Sequence, residues 1–451
     1  MQEEKNIFSQ KNSPEALKEK SLLAELNKKP LLQRWRGYLK LTGPAAMEAA
    51  TTLGAGSFTS AVAMGAAYGY KMLWVPFYSY GVGLFMLALA ARFAIASDIP
   101  IIEAQNKFHT KFVGSLATGI IACYLAMVVF AFGQYALGTD ALQSLFSLFG
   151  INFPRSVNWI IIFLISAYLA LIYGRHGSTK YVKYVENAMK IFIGIMLITF
   201  LAVIFKTGIH LGAFFKGLVI PTLPKGIEGI TMAIAGLTAA MGVGDWVQFH
   251  YAMRARGYSE EHEQLARFDA VVSGLIPVTL VLSLVTVAFA QIYSGKPNIP
   301  TSVSELGSGL VSVLPSIWVK IAFYIGIEAV VISTMVGMSM LAATTFCESV
   351  GWAPDPDKPY WKILILTPQI GLLGAFFGKP IWAVIIVAAL QSIFNWISGV
   401  SWYLLGNDKR YLGEKRIKTR IFNFGVLLSV VLLNLVFITF ILSRLGVWPN
   451  E

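Results

Sequence analysis

Long apolar runs, separated by short polar stretches, dominate the chain from residue 43 onward. A helix that crosses a bilayer needs about 20 mainly apolar residues, since it covers roughly 30 Å at about 1.5 Å per residue. Eleven runs approach or meet this length, at about 43–65, 72–94, 113–134, 158–174, 187–206, 228–250, 268–293, 317–346, 361–377, 381–405 and 421–443. Because unpaired backbone groups are costly inside hydrocarbon, the pattern predicts an all-α polytopic membrane protein with about 11 transmembrane helices.

The composition agrees with a helical membrane bundle. The 451 residues are 56% hydrophobic and only 13% charged, with a mean hydropathy of +0.64. Soluble globular proteins have about 25% charged residues, so that class is excluded. The runs do not alternate between apolar and polar residues, which excludes an outer-membrane barrel. Cys123 and Cys347 both fall within predicted spans and indicate neither a disulfide framework nor a metal site.

The net charge of +12 is distributed as the topology of a membrane protein requires. Basic residues concentrate in 1–40, 175–190, 254–267 and 409–420, so the later three clusters each follow an even-numbered run. By the positive-inside rule, the N-terminus is predicted to be cytoplasmic and the C-terminus to lie outside an inner (plasma) membrane. The basic residues therefore indicate contact with a lipid bilayer and no nucleic-acid partner. As a separate expectation, the protein is a monomer.

The N-terminal segment shows no cleaved-signal pattern. Ser13-Pro14 can start a helix, with Leu17, Leu22, Leu23 and Leu26 as an apolar stripe. A cytoplasmic interfacial helix is predicted, with a regulatory tail as the alternative.

Small and polar residues interrupt the first and sixth runs at matching places, five spans apart. Close helix packing is the usual reason for one such cluster. Two matching clusters predict discontinuous helices, whose freed backbone groups bind a substrate near the midplane. The predicted substrate-binding residues are Gly54, Ala55, Gly56, Ser57 and Thr59 in the first run, Thr238, Met241, Gly242, Val243 and Gly244 in the sixth, and Gln391 in the tenth.

Motifs at six places along the chain carry a resemblance to one transporter family. They are 43–74 in the first run, 181–186 at the fifth, 217–224 before the sixth, 267–269 at the seventh, Ser333-Thr334 in the eighth and 407–413 after the tenth. Over roughly residues 34–420 the chain resembles the Nramp (natural resistance-associated macrophage protein) family. The resemblance implies the leucine-transporter-type fold, with two inverted five-helix repeats and broken helices 1 and 6.

The same resemblance implies how the chain is divided and what it does not do. The segments are 1–40, a cytoplasmic segment; 41–206, the first repeat with helices 1–5; 207–226, an extracellular loop; 227–406, the second repeat with helices 6–10; and 407–451, a cytoplasmic loop, helix 11 and a short extracellular end. Spans 1, 2, 6 and 7 would rock against spans 3, 4, 5, 8, 9 and 10. The protein is expected not to be an enzyme, with no catalytic residue and no cofactor.

Departures from the family motifs bear on the substrate. Family members that carry metals hold them through Asp-Pro-Gly-Asn in span one and Met-Pro-His-Asn in span six. Here the first motif falls on 54–57, and the second on 241–244 when counted from Pro224, or on 243–246 when counted back from His250. Residues 112–139 also lack the acidic groups that the family has in span three. A divalent cation needs compensating negative charge, and Asp245 is the only nearby carboxylate, so a metal carrier is disfavoured.

Loss of the acidic ligand favours a negatively charged substrate instead. The half-helix that begins near Gly56 would present unpaired N–H groups, while Ser57, Thr59 and Ser60 could donate from their hydroxyls. The chain resembles the metal-site-deficient branch of the family associated with bicarbonate uptake. The prediction is a secondary active transporter that imports a small anion, best bicarbonate, by alternating access. The alternatives are a divalent metal (Mn²⁺ or Mg²⁺) transporter with a rebuilt site, and a non-transporting membrane sensor or scaffold.

Other polar residues inside the runs are candidates for a coupling ion, Na⁺ or H⁺. The candidates are Asp245, His250, Glu328, Ser333 and Thr334. Ionisable groups inside membrane helices are functional by default. Asp245 and His250 could equally be a structural pair, and the two hydroxyl residues could serve as interhelical hydrogen-bond donors.

Overall fold

A computed structural model describes residues 14–176, 180–224, 226–294, 298–376, 378–390 and 392–447, and all regular secondary structure in these ranges is helical. Two short helices, α1 (Pro14–Leu26) and α2 (Leu31–Tyr38), precede the apolar runs. Leu23 and Leu26 are buried, whereas Leu17 and Leu22 are 52% and 42% exposed. α1 therefore packs only one side of that set against the protein, and the interfacial helix with its apolar stripe stays a prediction.

The first half of the bundle contains α3 to α10. They are α3 (Pro44–Thr52), α4 (Ala55–Tyr68), α5 (Trp74–Ala96), α6 (Ile101–Phe108), α7 (Ala126–Ser147), α8 (Arg155–His176), α9 (Lys180–Thr207) and α10 (Leu211–Val219). A 3₁₀ turn at Gly69–Met72 joins α4 to α5, and wide π-type turns at Phe112–Leu125 lead directly into α7.

The second half contains α11 to α21. They are α11 (Ile227–Met241), α12 (Val243–Ala255), α13 (Glu263–Asp269), α14 (Ile276–Ile292), α15 (Val303–Val313), α16 (Ile317–Val350), α17 (Pro359–Leu366), α18 (Pro380–Leu390), α19 (Ser392–Asn407), α20 (Lys409–Leu412) and α21 (Arg420–Arg444). Short 3₁₀ turns lie at Glu260–His262 and Gly413–Lys415, π-type turns at Ala270–Leu275 join α13 to α14, and 3₁₀ turns at Thr367–Phe376 continue α17.

Seven helices in the described ranges are long and apolar enough to cross a membrane. The number becomes eight if the bent pair Pro380–Leu390 and Asn395–Asn407 is counted as one span. Each of the eleven predicted runs coincides with helical structure, but several of these helices are short or interrupted. The count of eleven spans therefore stays a prediction, whereas the all-α polytopic architecture is confirmed.

Both predicted helix breaks are present. α3 ends at Thr52 and α4 begins at Ala55, with Gly54 extended at φ −60° and ψ 177°. The Ser57 hydroxyl has two carbonyl acceptors, those of Thr52 and, at 3.1 Å, Gly54, so a side chain of α4 bonds to the backbone of the break. α11 and α12 meet at Gly242, which is extended at φ −71° and ψ 139°. A third break, of 41° within the tenth run, was not predicted.

Close helix contacts around these breaks depend on glycine. A Cβ atom on Gly65 of α4 would overlap the backbone of Thr286 in α14, and one on Gly374 would overlap the backbone of Phe132 in α7. Small residues let the backbones of membrane helices approach each other closely. Such packing matters inside a bilayer, because lipid tails are themselves apolar and the hydrophobic effect does not drive the helices together. The contact at Gly65 packs α4 closely against α14, and so positions one side of the site.

Candidate functional site

A cavity of about 50 Å³ lies between the two broken helices. One water molecule needs roughly 10–15 Å³ measured in this way, so the cavity accommodates a small ion or a few waters. Its lining residues are Thr52, Gly54, Gly56, Ser57, Ala122, Met127, Phe130, Ala235, Thr238, Gly242, Gly244, Asp245, Gln248, Thr334, Met338, Leu341, Ala388 and Asn395. The breaks of α3–α4 and α11–α12 thus face one common space.

Most of the predicted binding residues are brought together in this lining. Those that line the cavity are Gly54, Gly56, Ser57, Thr238, Gly242 and Gly244, together with the coupling-ion candidates Asp245 and Thr334. Nothing is described for the side chains of Ala55 and Met241, and Gln391 lies outside the described residues. The break at Gly242 agrees with the motif position counted from Pro224.

Five predicted residues lie elsewhere. The Thr59 hydroxyl donates to the carbonyl of Gly56 at 3.2 Å, and Val243 is a buried core residue. Nδ1 of His250 lies 3.4 Å from the carbonyl oxygen of Ala90, on α5. The remaining two, Glu328 and Ser333, lie on α16 and are not among the lining residues. The sequence placed these residues on the correct helices, but the helix rotation that separates lining from packing depends on tertiary contacts.

The hydroxyl groups that line the cavity already donate their hydrogens to the protein. Ser57 donates to the backbone of its own helix break, and Thr334 donates to the carbonyl of Val330 at 2.8 Å. Thr238 has carbonyl acceptors at 3.0–3.1 Å in α11 and α18. Because a hydroxyl has one hydrogen and two lone pairs, these side chains offer acceptor oxygens to the cavity. This corrects the expectation that Ser57 donates to the substrate.

Asp245 is the only charged side chain among the described residues that line the cavity. It lies in the first turn of α12, where a carboxylate is stabilised by the positive end of the helix dipole. Its Oδ1 lies 3.2 Å from the hydroxyl oxygen of Thr52 at the end of α3. The carboxylate therefore connects the two helix breaks directly.

Sequence reasoning missed Glu48, which lies behind Thr52 as seen from the cavity. Its side chain is 1% exposed, and Oε1 accepts a hydrogen bond of 2.7 Å from Thr52. The other carboxylate oxygen, Oε2, has no hydrogen-bond partner in the described part of the chain. A lone glutamate inside an apolar run is the signal that could have identified it, since such groups are costly in membranes.

Asn395 on α19 is a further lining residue that the predicted site did not include. Its Oδ1 accepts from the backbone N–H of Val243 at 3.2 Å, which ties α19 to the start of α12. Its Nδ2 has no partner within the described ranges. No group of three or more His, Cys, Asp or Glu side chains that could hold a metal is found in those ranges.

The sequence of residues 45–441 matches the family described as natural resistance-associated macrophage protein-like. The chain belongs to the Nramp family. This match covers most of the chain and confirms the resemblance drawn from the short motifs.

Curated relatives within the Nramp family are transporters rather than enzymes. The chain is 23% identical over 319 residues to a "Divalent metal cation transporter MntH" of Klebsiella pneumoniae, which covers 69% of this chain and 70% of the relative. It is 24% identical over 368 residues to the protein of the same name in Yersinia pestis, with 80% of each chain covered. The chain is accordingly a multi-pass membrane transporter of this family.

Solved structures agree on the fold. A manganese transporter of Eremococcus coleocola superposes with a TM-score of 0.69 at 17% identity, covering 92% of this chain and 90% of that one. The transporter MhsT, solved with L-phenylalanine, superposes with a TM-score of 0.55 at 15% identity and covers 90% of this chain and 97% of its own. The predicted leucine-transporter-type fold, which the Nramp family shares, is confirmed.

Proposed function

We propose that this Nramp-family chain carries a small divalent metal cation across the membrane by alternating access. One observation supports the proposal above the others: the cavity is lined by one carboxylate and by hydroxyls whose hydrogens are already engaged. The lining therefore presents negative charge and lone pairs. No Lys, Arg or His is among the described lining residues, so no cationic side chain there would neutralise an anion.

The chemistry of the oxygen groups narrows the cation class. Asp245, Thr52 and Ser57 provide hard oxygen ligands of the kind that Mg²⁺ and Mn²⁺ prefer. Met127 and Met338 also line the cavity and add softer thioether groups, which favour the later transition metals. The relatives from Klebsiella and Yersinia are named for divalent metal cations, and the Eremococcus relative for manganese. Mn²⁺ is therefore the first substrate to test, followed by Mg²⁺.

A small anion, with bicarbonate first, remains the second candidate. The observation that favours it is the N-terminus of α4, where Gly54 provides no side-chain cap and the helix dipole is positive. The carboxylate of Asp245 opposes it. Two like charges about 4 Å apart repel by roughly 4 kcal/mol at an effective dielectric of about 20. A non-transporting sensor or scaffold is the remaining class.

The transport cycle proposed here follows from the two breaks. The group formed by α3–α5 and α11–α14 would rock against the rest of the bundle and open the cavity to each side in turn. We propose a cytoplasmic N-terminus and an outer C-terminus, from the distribution of basic residues. Coupling to Na⁺ or H⁺ is part of the proposal, with Asp245 and Thr334 the two candidates that line the cavity.

Uptake into proteoliposomes tests the proposal. Purified protein is assayed for Mn²⁺, Mg²⁺ and bicarbonate uptake under defined Na⁺ and proton gradients, alongside Asp245→Asn. The matched control is Asp357→Asn, which removes an exposed carboxylate outside the cavity. Saturable Mn²⁺ uptake that is lost in Asp245→Asn and kept in the control supports a cation carrier. Bicarbonate uptake without cation uptake supports the second candidate, and uptake of neither supports the non-transporting class.

A further inference from the structure

Glu48 places a second carboxylate one side chain away from the cavity, at a position that none of the family's metal motifs includes. We infer that Glu48 is a positioning residue that sets the preference of the site for divalent over monovalent cations. This inference rests on the proposed cation transport. It concerns a residue of α3 that does not itself line the cavity but contacts Thr52, which does.

The contacts form a short chain from Glu48 to the cavity. Thr52 Oγ1 lies 2.7 Å from Oε1 of Glu48 and 3.2 Å from Oδ1 of Asp245. A threonine hydroxyl has a single hydrogen, so it can donate to only one of the two carboxyl groups at a time. Thr52 therefore joins the two acids across the break and keeps a lone pair available to a bound ion.

Among the described residues, no cationic side chain is found to pair with Glu48. The titratable groups that face it from neighbouring helices are Asp245 on α12, Asp269 on α13 and Tyr80 on α5, none of them cationic. Asp269 has its own partners, because Oδ2 accepts from the backbone N–H groups of Gly43 at 3.3 Å and Ala45 at 2.9 Å.

Two further ionisable residues, Arg256 and Cys123, also do not neutralise Glu48. The guanidinium of Arg256 pairs with Glu19, at 3.2 Å. Cys123, which lies near Asp245, is a buried free thiol and carries no positive charge. A buried carboxylate with an unpartnered oxygen and no nearby cation is costly unless a positive charge arrives. A cation in the adjacent cavity would provide that charge.

This pair of carboxyl groups selects among cations by their charge. The attraction between a carboxylate and a cation scales with the charge of the cation, so each added carboxylate favours a divalent ion over a monovalent one. For a separation of about 6 Å and an effective dielectric of about 20, the second carboxylate changes the affinity ratio by roughly 100-fold. Asp245 alone would match only a monovalent charge. When a bound divalent ion draws both groups into their ionised forms, Asp245 and Glu48 together match its charge.

The experiment compares Mn²⁺ and Na⁺ uptake into proteoliposomes by the parent chain, Glu48→Gln and Glu48→Asp. We expect E48Q to lower the ratio of Mn²⁺ to Na⁺ uptake by about 10- to 100-fold, and E48D to keep most of the parent's ratio. The matched control is Glu348→Gln, which neutralises a carboxylate near the end of α16 that accepts from the backbone N–H of Glu103 and is not among the lining residues. A residue with a merely structural role would lower both uptakes together and leave the ratio unchanged.

The outcomes separate this inference from the proposed function. If the parent chain takes up neither Mn²⁺ nor Na⁺, the proposed cation transport is wrong. If the parent takes up Mn²⁺ and E48Q keeps its ratio, cation transport stands and the role of Glu48 is wrong. Should E48Q not fold, Glu48→Met carries the same expectation, because an apolar side chain of similar size removes the cost of burying a charge.

Discussion

Gly56 and Phe130 are in direct contact across the cavity, and a Cβ atom on Gly56 would lie 2.5 Å from Cζ of the Phe130 ring. Real Cβ atoms do not approach a ring this closely, so any side chain at position 56 must displace the ring. Both residues line the cavity, and Gly56 lies in the first turn of α4. The glycine is thus required by space on one side of the site rather than by its backbone angles.

We expect Gly56→Ala to lower substrate uptake by about tenfold or more, because overpacking of this kind costs about 1–3 kcal/mol. Gly56→Ala combined with Phe130→Leu should recover much of the activity, since the smaller side chain provides the missing space. The control is Gly81→Ala on α5, where no atom lies within 4 Å of the added methyl group. Normal uptake by Gly56→Ala alone would show that the cavity is not the transport site.

A second prediction concerns the shared hydroxyl. Thr52→Val keeps the side-chain volume but removes the donor that lies between Glu48 and Asp245. Hydrogen bonds to charged groups contribute about 1.5–3 kcal/mol, so we expect a clear fall in thermal stability and in Mn²⁺ uptake. The control is Thr207→Val on α9, where the hydroxyl donates only to the carbonyl of Val203 and lies far from the cavity. Equal effects of the two variants would contradict a special role for Thr52.

The broken helices could be predicted from sequence because local residues cause them. Gly54, Ser57 and Gly242 end or cap their helices through backbone geometry and hydrogen bonds within a few residues. The lining residues next to the two breaks, such as Gly56 and Gly244, could be predicted for the same reason. The local sequence pattern was sufficient to predict a feature wherever the residues that cause it lie in a single segment.

The features that were missed depend on contacts between distant segments. Glu48 acquires its role only because α12 brings Asp245 to the same threonine, 193 positions from Thr52. The direction of the Thr238 hydrogen bonds depends partly on a carbonyl of Ala388, 150 positions away. The sequence pattern suggested that the hydroxyls were free donors, because it does not show carbonyl acceptors on other helices such as that of Ala388. That difference is the basis for proposing a cation rather than an anion as the substrate.

A third prediction concerns the docking of α1. Glu19 accepts hydrogen bonds from Arg256 Nε at 3.3 Å and Nη2 at 3.2 Å, and the two side chains are 14% and 31% exposed. Partial burial raises the pKa of Glu19, and the Arg256 charge opposes that rise. In a double-mutant cycle with Glu19→Gln and Arg256→Gln, we expect a coupling energy of about 0.5–1.5 kcal/mol from thermal unfolding. The exposed pair of Arg267 and Glu263 should show a smaller coupling in the same measurement.

The last prediction concerns Gly54, where the two candidate substrates lead to opposite expectations. Gly54 is buried, lines the cavity and occupies the N-cap position of α4, for which aspartate is a favoured residue. Gly54→Asp therefore adds a carboxylate at a place where the helix can stabilise it. It also puts an acid at the position where metal-carrying members of the family have one.

For a cation carrier, Gly54→Asp should increase the affinity for Mn²⁺, seen as a lower KM, because a further negative charge faces the ion. For an anion carrier, the same carboxylate would repel the substrate by roughly 4 kcal/mol at about 4 Å and should abolish uptake. If the introduced carboxyl takes up a proton in this apolar setting, anion uptake should recover as the pH falls. Measuring Mn²⁺ uptake and the uptake of a strong-acid anion at two pH values distinguishes these cases. Anion uptake by the parent that Gly54→Asp removes, with no Mn²⁺ uptake by either protein, would replace the proposed cation transport by the second candidate.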